Sequence, residues 1–244
     1  MSTCIITGAS AGIGRAAAIE VSKLDEFDNI VIISRREDLL LETKSMMKEG
    51  CKVEILVLDV CEIEKIPTIV ADIYKKYGSI DCLLNIAGYT DPKFLFETTD
   101  DNLRKTFGIN VFAPYVLCRE CAKYMKANKT TSKILNIAST AGSTPRPGWS
   151  VYAMSKAAII EMSLTLTEEL SGYGIKVYCL SPGRCATELR KKLAPEEDQS
   201  KIMQPETVGK EIARMVSASE ICLDGQNIVI RKKILIKYQQ SYNF

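Results

Sequence analysis

Short apolar runs alternate with longer amphipathic stretches along this chain. The short runs are rich in aliphatic residues and predict buried β-strands at residues 3–6, 29–33, 53–58, 80–84, 134–138, 174–180 and 228–230. The longer stretches carry apolar residues at helical spacing and predict helices at about 15–24, 37–50, 62–77, 100–126, 152–171 and 205–217. Pro114 is expected to bend the fourth helix. Because strands and helices alternate, the pattern predicts an α/β fold: a doubly wound parallel sheet of about seven strands with helices on both faces.

The chain has the length of one large α/β domain, at 244 residues and 27.1 kDa. No internal repeat, low-complexity tract or linker interrupts it. We therefore interpret residues 1–233 as a single domain and residues 234–244 as a tail of unknown role. Residues 188–204 are polar and charged, and we expect them to form a mobile lid over a site.

A glycine-rich turn directly follows the first predicted strand. Gly8, Gly12 and Gly14 lie in it, together with Ser10 and Ile13, ahead of a predicted helix. In such a turn the backbone N–H groups and the positive end of the helix dipole point at an anion, so it predicts a site for the pyrophosphate of a dinucleotide. Strand, turn and helix in this order are typical of a Rossmann-like fold. The alternative is a glycine-rich turn without a ligand.

The residues after the second strand indicate which dinucleotide binds. About 20 residues beyond the last glycine, NAD enzymes place an acid that binds the ribose 2′-hydroxyl, whereas NADP enzymes accommodate the 2′-phosphate with arginine. This chain has Ser34 in place of the acid, followed by Arg35 and Arg36. The sequence therefore predicts NADP(H) in preference to NAD(H), unless the two arginines are ordinary solvated side chains.

Several later strands also end in residues suited to a binding site. Because the carboxyl ends of parallel strands meet at one edge of a sheet, we expect these segments to converge on one crevice. The Asp59 carboxylate is a candidate for the adenine amino group. The converging segments are Asp59-Val60, Asn85-Ile86-Ala87-Gly88, Ser139 and residues 181–187.

Proton chemistry near neutral pH requires an unusual side chain in this protein, because the sequence contains no histidine. Tyr152 and Lys156 lie four residues apart on a predicted helix and so share one face. A lysine ammonium beside the tyrosine hydroxyl would lower its pKa from about 10 towards neutrality. The pair is a candidate acid/base site, and the alternative is an ordinary surface pair.

Composition argues against several classes of partner. The net charge is +2, so neither nucleic acid nor an anionic membrane is expected to bind. No apolar run approaches the roughly 20 residues of a membrane span, and no basic region precedes a hydrophobic one at the N-terminus, so a cytoplasmic protein is expected. The nine cysteines lie mostly in apolar runs, as buried reduced thiols do. Cys118 and Cys121 lack a second pair or a histidine, so no metal site is expected.

Taken together, these motifs resemble those of the short-chain dehydrogenase/reductase family in its single-domain form, over residues 1 to about 230. The matching positions occur in the family's order: Thr7, Gly8, Gly12, Ile13, Gly14, Asp59, Val60, Asn85, Ala87, Gly88, Asn110, Ser139, Tyr152, Lys156, Pro182, Gly183 and Thr187. The resemblance implies an oxidoreductase that transfers hydride between a nicotinamide cofactor and a ketone, sugar or acyl carbonyl. It also implies a homodimer or homotetramer, because the family's helices corresponding to about 100–126 and 152–171 pack against their copies.

The same resemblance assigns roles to individual residues. Tyr152 would be the general acid/base, and Lys156 would lower its pKa and hold the nicotinamide ribose. Ser139 would bind the carbonyl oxygen of the substrate, and Asn110 would anchor a water that links Lys156 to solvent. The turn expected to contact the cofactor after the sixth strand contains Pro182, Gly183, Cys185 and Thr187.

This chain departs from the family pattern at two positions near the expected site. Ile86 stands where a second asparagine is common, and Cys185 stands where valine is usual, which predicts a reshaped pocket wall rather than lost activity. Arg146, Trp149 and Arg184 flank the expected pocket and indicate an anionic or polar substrate group, unless they are ordinary surface residues.

Two other functions stay open. One is NAD-linked alcohol oxidation, which the arginine pair disfavours. The other is a dinucleotide-binding regulatory protein that senses redox state without turnover. A regulator has no need of the full set of Ser139, Tyr152 and Lys156, so the enzyme is favoured.

Overall fold

The computed structural model describes residues 2–232, which contain one seven-stranded sheet. All neighbouring strands are parallel, in the order β3-β2-β1-β4-β5-β6-β7. This confirms the predicted doubly wound sheet. The strands are β1 (Thr3–Thr7), β2 (Asn29–Ser34), β3 (Lys52–Val57), β4 (Cys82–Asn85), β5 (Ser132–Ile137), β6 (Ile175–Pro182) and β7 (Asn227–Ile230). The predicted tail at 234–244 lies outside the described residues.

Helices cover both faces of the sheet, which explains why the central strands β1, β4 and β5 are buried at every position. Ile5 of β1 belongs to an apolar cluster on one face, and its neighbour Ile6 belongs to the cluster on the other. The helices within residues 2–232 are α1 (Gly12–Val21), α2 (Glu37–Met46), α3 (Ile66–Tyr77), α4 (Asp100–Phe107), α5 (Ala113–Met125), α6 (Ser150–Ser171), α7 (Glu188–Leu193) and α8 (Pro205–Val216). None of these described helices is long and apolar enough to cross a membrane.

The predicted helix at 100–126 is interrupted, and Pro114 is not where it breaks. A π-helical stretch, Gly108–Phe112, joins α4 to α5. Pro114 lies in the first turn of α5, where its missing N–H disturbs least. Asn110 occupies the middle of the π-helical stretch, so the irregular segment carries a predicted site residue.

The segment predicted as a mobile lid contains a helix, α7, and a single 3₁₀ turn at Gln199–Lys201. The Thr187 hydroxyl caps α7 by accepting a hydrogen bond from the backbone N–H of Arg190 at 3.1 Å. At the other end of the segment, Cys185 and Met203 pair as an isolated parallel β-bridge. The bridge joins the two ends of the segment to each other, and the mobility of the segment stays a prediction.

Candidate active site

The carboxyl ends of the strands enclose a cavity of about 370 Å³. Residues after β1 to β6 and residues of α7 line it, at the edge of the sheet where the order of strands reverses between β1 and β4. Every residue that the sequence predicted for the site lines this cavity except Asn85 and Asn110. The ends of β2 and β5 are three strand positions apart, which corresponds to about 14 Å. The cavity therefore has two separate ends, each with its own chemistry.

The glycine-rich turn leaves bare backbone at the start of α1. A Cβ atom at Gly14 would lie 2.1 Å from the carbonyl oxygen of Gly8, and one at Gly8 would lie 2.8 Å from Cα of Ala87. Gly8 and Gly12 also have left-handed φ angles of +72° and +53°. The N-cap residue Ala11 has no side chain to bond the free N–H groups, and the first turn of α1 has no acidic residue. This turn therefore fits a diphosphate.

Polar side chains from the first two strands meet beside this turn. The Ser34 hydroxyl donates a hydrogen bond to the Ser10 hydroxyl at 2.8 Å, and Nη2 of Arg36 donates to the same oxygen at 3.2 Å. Because Ser34 stands where an acid would bind a ribose, hydroxyl and guanidinium groups lie at this end of the cavity. This donor set suits a phosphate rather than a ribose hydroxyl pair.

Both arginines after β2 contact a carboxylate on the cavity wall. Nη1 of Arg35 lies 3.5 Å from Oδ2 of Asp59, and Nη1 of Arg36 lies 3.6 Å from Oε2 of Glu188. The side chains of Arg35 and Arg36 are 60% and 48% exposed, and ion pairs this open to water are weak. Asp59 is held in place by the N–H of Cys61, which donates to Oδ1 at 3.0 Å. The two guanidinium groups therefore stay available to an anion.

Ser139, Tyr152 and Lys156 come together at the other end of the cavity. The Ser139 hydroxyl follows β5 and accepts a hydrogen bond from the N–H of Ala141 at 3.1 Å. Tyr152 and Lys156 lie in the first two turns of α6, as the spacing predicted. Nζ of Lys156 is 5.8 Å from the centre of the Tyr152 ring and donates to the backbone carbonyl of Ile137 at 2.7 Å.

Burial controls the pKa values of the two titratable groups at this end. Burial raises the pKa of Tyr152, while a hydrogen bond with Ser139 and the positive charge of Arg146 act in the opposite direction. Lys156 is 4% exposed, and burial lowers its pKa from 10.5 to about 8. The predicted lowering of the tyrosine pKa by Lys156 is therefore not what this arrangement gives, because the ammonium is bonded to a strand carbonyl and burial outweighs the nearby charges.

Asn110 lies behind the cavity wall rather than on it. Its Nδ2 donates to the carbonyl of Tyr89 and to the Ser155 hydroxyl, each at 2.9 Å, and its Oδ1 accepts from the N–H of Tyr89 at 2.8 Å. A Cβ atom at Gly88 would lie 3.8 Å from Oδ1 of Asn110 and 3.9 Å from Nζ of Lys156. Asn110 thus fixes the loop after β4 next to Lys156.

Asn85 is a core residue in this structure, contrary to its predicted contact with a cofactor. It is 3% exposed, and its Nδ2 donates to Oδ1 of Asn136 on β5 at 2.8 Å and to Sγ of Cys118 at 3.3 Å. Asn136 in turn donates to the Ser163 hydroxyl on α6 at 3.0 Å. The side chain points into the packing between sheet and helices, where it links β4 to β5 and α5.

Sequence reasoning missed the contribution of α7 and of the loop after β4. Leu189 and Leu193 line the cavity from α7, and Tyr89 and Thr90 line it from the loop. The two leucines are four residues apart in a charged segment, and this spacing was the available signal for an amphipathic helix.

The two departures from the family pattern both lie on the cavity wall. Ile86 is 8% exposed and Cys185 is 6% exposed. Burial raises the pKa of the Cys185 thiol to about 12, so it acts as a small apolar group. Among residues 2–232, no group of three or more histidine, cysteine, aspartate or glutamate side chains is placed to hold a metal ion.

Comparisons with known proteins identify the family of this chain. A model of the short chain dehydrogenase family matches residues 2–198. The 3-oxoacyl-[acyl-carrier-protein] reductase of Thermotoga maritima is 29% identical over 248 aligned residues, which cover 96% of this chain and 97% of the relative. The 2,3-dihydro-2,3-dihydroxybenzoate dehydrogenase of Bacillus subtilis is 31% identical over 194 residues, which cover 79% and 73%.

A solved structure described as ElxO with NADP bound matches the fold with a TM-score of 0.83 at 25% identity, covering 94% of this chain and 96% of that one. The family match spans most of the chain, and the relatives are named as reductases and dehydrogenases. This chain is therefore a member of the short-chain dehydrogenase/reductase family, an NAD(P)-dependent oxidoreductase with a Rossmann-like fold.

Proposed function

We propose that this enzyme is an NADPH-dependent reductase of a ketone, sugar or acyl carbonyl, with Tyr152 as the general acid/base. One observation carries the proposal: a single cavity has the Ser10, Ser34 and Arg36 cluster at one end and the Ser139 and Tyr152 pair at the other. The first cluster suits a phosphate, and the second suits a carbonyl oxygen. The neighbour with NADP bound supports the same cofactor here.

Residues along the cavity would hold each part of the cofactor. The glycine-rich turn would bind the diphosphate, Arg35 and Arg36 the 2′-phosphate, and Asp59 the adenine amino group. The remaining predicted contacts, which line the same cavity, are Val60, Ala87, Gly88, Pro182, Gly183, Cys185 and Thr187. When bound, NADPH supplies the hydride for reduction of the carbonyl carbon.

Two hydroxyl groups would stabilise the oxygen of the substrate as it gains negative charge. The Ser139 oxygen accepts from the N–H of Ala141, and its single proton, now shared with Tyr152, would turn to the oxygen of the substrate. Burial raises the pKa of Tyr152, so its hydroxyl is protonated at neutral pH and is able to give the proton to the alkoxide. Preorganised donors of this kind act where charge develops, which is the main source of rate in such sites.

Lys156 and Asn110 would act on either side of this reacting pair. An ammonium group has three donors, and one is used by the Ile137 carbonyl, which leaves two for the nicotinamide ribose and for a water. Asn110 would keep Gly88 and Tyr89 next to Lys156 and, as the family resemblance implies, anchor that water.

Nucleotide titration and a screen of carbonyl compounds test this function. Binding of NADPH and NADH is measured by fluorescence titration, and a panel of ketones, sugars and acyl thioesters is followed by loss of NADPH absorbance. Turnover with NADPH supports the proposal. Equal use of NADH contradicts the cofactor assignment, and tight nucleotide binding without turnover of any compound supports the redox-sensing regulator instead.

We also propose that the enzyme is a homodimer or homotetramer. Phe112, Tyr115 and Met154 lie on the elements expected to pack against their copies, and each is about half exposed, at 51%, 50% and 50%. Light scattering at micromolar concentration should give at least twice the monomer mass of 27.1 kDa. A species at the monomer mass alone contradicts this proposal.

We also propose a cytoplasmic location, which the free cysteines support. Cys4 and Cys82 are paired in register on β1 and β4, and both are free thiols, as are the other seven cysteines. Such thiols persist in a reducing compartment. Formation of disulfides by the purified protein only after oxidation, with full activity when reduced, is the expected result.

A further inference from the structure

Within residues 2–232, six cationic side chains line the cavity, and their partners differ. They are Arg35, Arg36, Arg146, Lys156, Arg184 and Arg190. Arg35 and Arg36 belong to the nucleotide end, and Lys156 is bonded to a strand carbonyl. The other three arginines are therefore the remaining candidates for binding an anionic ligand in this cavity.

Arg184 and Arg190 share one carboxylate. Nη1 of Arg184 lies 2.7 Å from Oε1 of Glu197, and Nε of Arg190 lies 2.6 Å from Oε2. The Glu197 side chain is 15% exposed, and these two partners lower its pKa. The carboxylate already occupies donors of both arginines and offsets part of their charge, so neither is the best site for a further anion.

Arg146 is different, because it has no carboxylate partner within residues 2–232. Its Nη2 donates to the Thr140 hydroxyl at 3.2 Å, and no described acidic oxygen lies within the 4.0 Å limit of an ion pair. The guanidinium is partly buried, and its central carbon is 6.0 Å from the centre of the Trp149 ring. The remaining N–H donors of Arg146 are therefore free for a ligand.

Arg146 also lies next to the reacting groups. Trp149 lies near both residues: its ring is 6.0 Å from the guanidinium carbon of Arg146, and it meets the Tyr152 ring edge to face at a centroid distance of 5.6 Å. Thr140, which holds Arg146, follows Ser139 directly in the chain. The positive charge of Arg146 acts to lower the pKa of the Tyr152 hydroxyl.

We propose that Arg146 is the specificity-determining residue of this enzyme and binds an anionic group, a carboxylate or a phosphate, carried by the carbonyl substrate. The inference rests on the proposed reductase function. Because Thr140 holds the guanidinium one residue from Ser139, the anionic group lies only a few bonds from the carbonyl that Ser139 and Tyr152 bind. Arginine binds both oxyanions through paired, charge-assisted hydrogen bonds.

Matched pairs of anionic and neutral carbonyl compounds test this inference with NADPH as the reductant. The carboxylate pair is acetoacetate and methyl acetoacetate, and the phosphate pair is dihydroxyacetone phosphate and dihydroxyacetone. In at least one pair the wild-type enzyme should give a kcat/KM about 10-fold or more higher for the anion. The pair that shows the preference identifies which of the two groups Arg146 binds.

Substitutions of Arg146 should act on the anion alone. Arg146→Gln should lower kcat/KM for the preferred anion by about 10- to 100-fold, mainly through KM, and change kcat/KM for its neutral partner by less than about 3-fold. Arg146→Lys should recover part of the loss, because the charge returns without the planar fork. The control is Arg214→Gln on α8, an exposed arginine paired with Glu211, which should change neither value. The affinity for NADPH should be the same in all four proteins.

Three results would overturn the inference. They are equal use of anion and neutral partner in both pairs, an equal loss for both partners in Arg146→Gln, and a loss of NADPH affinity in that variant. If no compound is reduced, the proposed function fails, and binding then decides this inference alone. Acetoacetate or dihydroxyacetone phosphate should raise the melting temperature of the NADPH-loaded wild type but not of Arg146→Gln. An absence of any rise in the wild type contradicts it.

Discussion

The two ends of the cavity are built in opposite ways. The nucleotide end consists of backbone that side chains cannot enter, at Gly8 and Gly14, and of arginines that are half exposed. The catalytic end consists of Tyr152 and Lys156, whose pKa values are displaced by burial. One end therefore depends on steric access and exposed charge, and the other depends on desolvation.

The two ends therefore differ in the substitutions that they tolerate. Charges exposed to water each contribute modestly to the binding free energy and act nearly independently. Replacing a single arginine should therefore cost little binding free energy. Buried groups act as a unit with their partners, so the loss of one affects the others. Substitutions at the catalytic end should consequently have the larger effects.

Tyr152→Phe should have the largest effect. It removes the proposed proton donor while the ring keeps its contact with Trp149, so kcat should fall by about 10²- to 10⁴-fold and NADPH affinity should stay nearly unchanged. Steady-state rates and fluorescence titration measure the two quantities. Tyr173→Phe is the matched control, because Tyr173 is 57% exposed and does not line the cavity. Undiminished turnover in Tyr152→Phe would mean that another group supplies the proton.

Lys156→Met should change how stability depends on pH. The pKa of Lys156 is lowered from 10.5 to about 8 in the folded protein, so between these values the unfolded chain binds more protons. The free energy of unfolding of the wild type therefore increases as pH rises through that window, because the buried ammonium loses its proton. Below pH 8 the ammonium stays charged, and the full cost of its burial remains. The stability of Lys156→Met relative to wild type should fall by about 3 kcal/mol between pH 7 and pH 10. Urea denaturation at each pH measures it, with exposed Lys126→Met as the control, and a constant difference would contradict the lowered pKa.

Gly14→Ala tests steric access at the nucleotide end. The added Cβ would lie 2.1 Å from the carbonyl oxygen of Gly8, so the turn must shift. We expect a loss of about 1–3 kcal/mol in stability and weaker binding of both NADPH and NADH, since both share the diphosphate. Gly172→Ala is the matched control, because a Cβ there meets nothing within 4 Å and its φ of −64° is helical. Equal behaviour of the two variants would remove the argument for close packing.

Arg35→Ala and Arg36→Ala should have the smallest effect, confined to one cofactor. The wild type should bind NADPH at least about 10-fold more tightly than NADH, equivalent to about 1.4 kcal/mol. Each variant should lose much of that preference through weaker NADPH binding, while the dissociation constant for NADH stays the same. NADH is thus the internal control. Equal affinities for the two cofactors in the wild type would refute the assignment of the arginines.

The sheet and the glycine turn could be predicted from sequence because local pattern determines them. Strands covered on both faces, such as β1, are buried at every position and carry a short apolar run, and Gly14 stands in a turn that only glycine can form. The first helix began three residues earlier than predicted, at Gly12, because the turn itself forms its first residues. Patterns of this kind need no knowledge of distant parts of the chain.

The parts that could not be predicted depend on distant partners. Asn85 ends a strand, which is a position typical of site residues. Its side chain lies in the core instead, because it donates a hydrogen bond to Asn136, its register partner on β5. Lys156 was expected beneath the Tyr152 hydroxyl, and the carbonyl of Ile137 competes for its ammonium. Residues 108–112 have no sequence signal for a π-helix, since the bonds of Asn110 to Tyr89 and Ser155 become visible only in the folded chain.

The π-helical stretch makes the number of residues in this segment as important as their identity. A π turn closes its hydrogen bond one residue later than an α turn, so it accommodates one residue more. A deletion of one residue within Gly108–Phe112 would allow α4 and α5 to merge into a regular α-helix, with a far-ultraviolet spectrum close to that of the parent. Each residue in an α-helix advances about 100° around the axis, so the deletion would rotate one side of the segment against the other. The Asn110 amide could then no longer bond both Tyr89 and Ser155. A variant shortened by one residue would therefore lose the contacts that fix the loop after β4 next to Lys156, even with every site residue present.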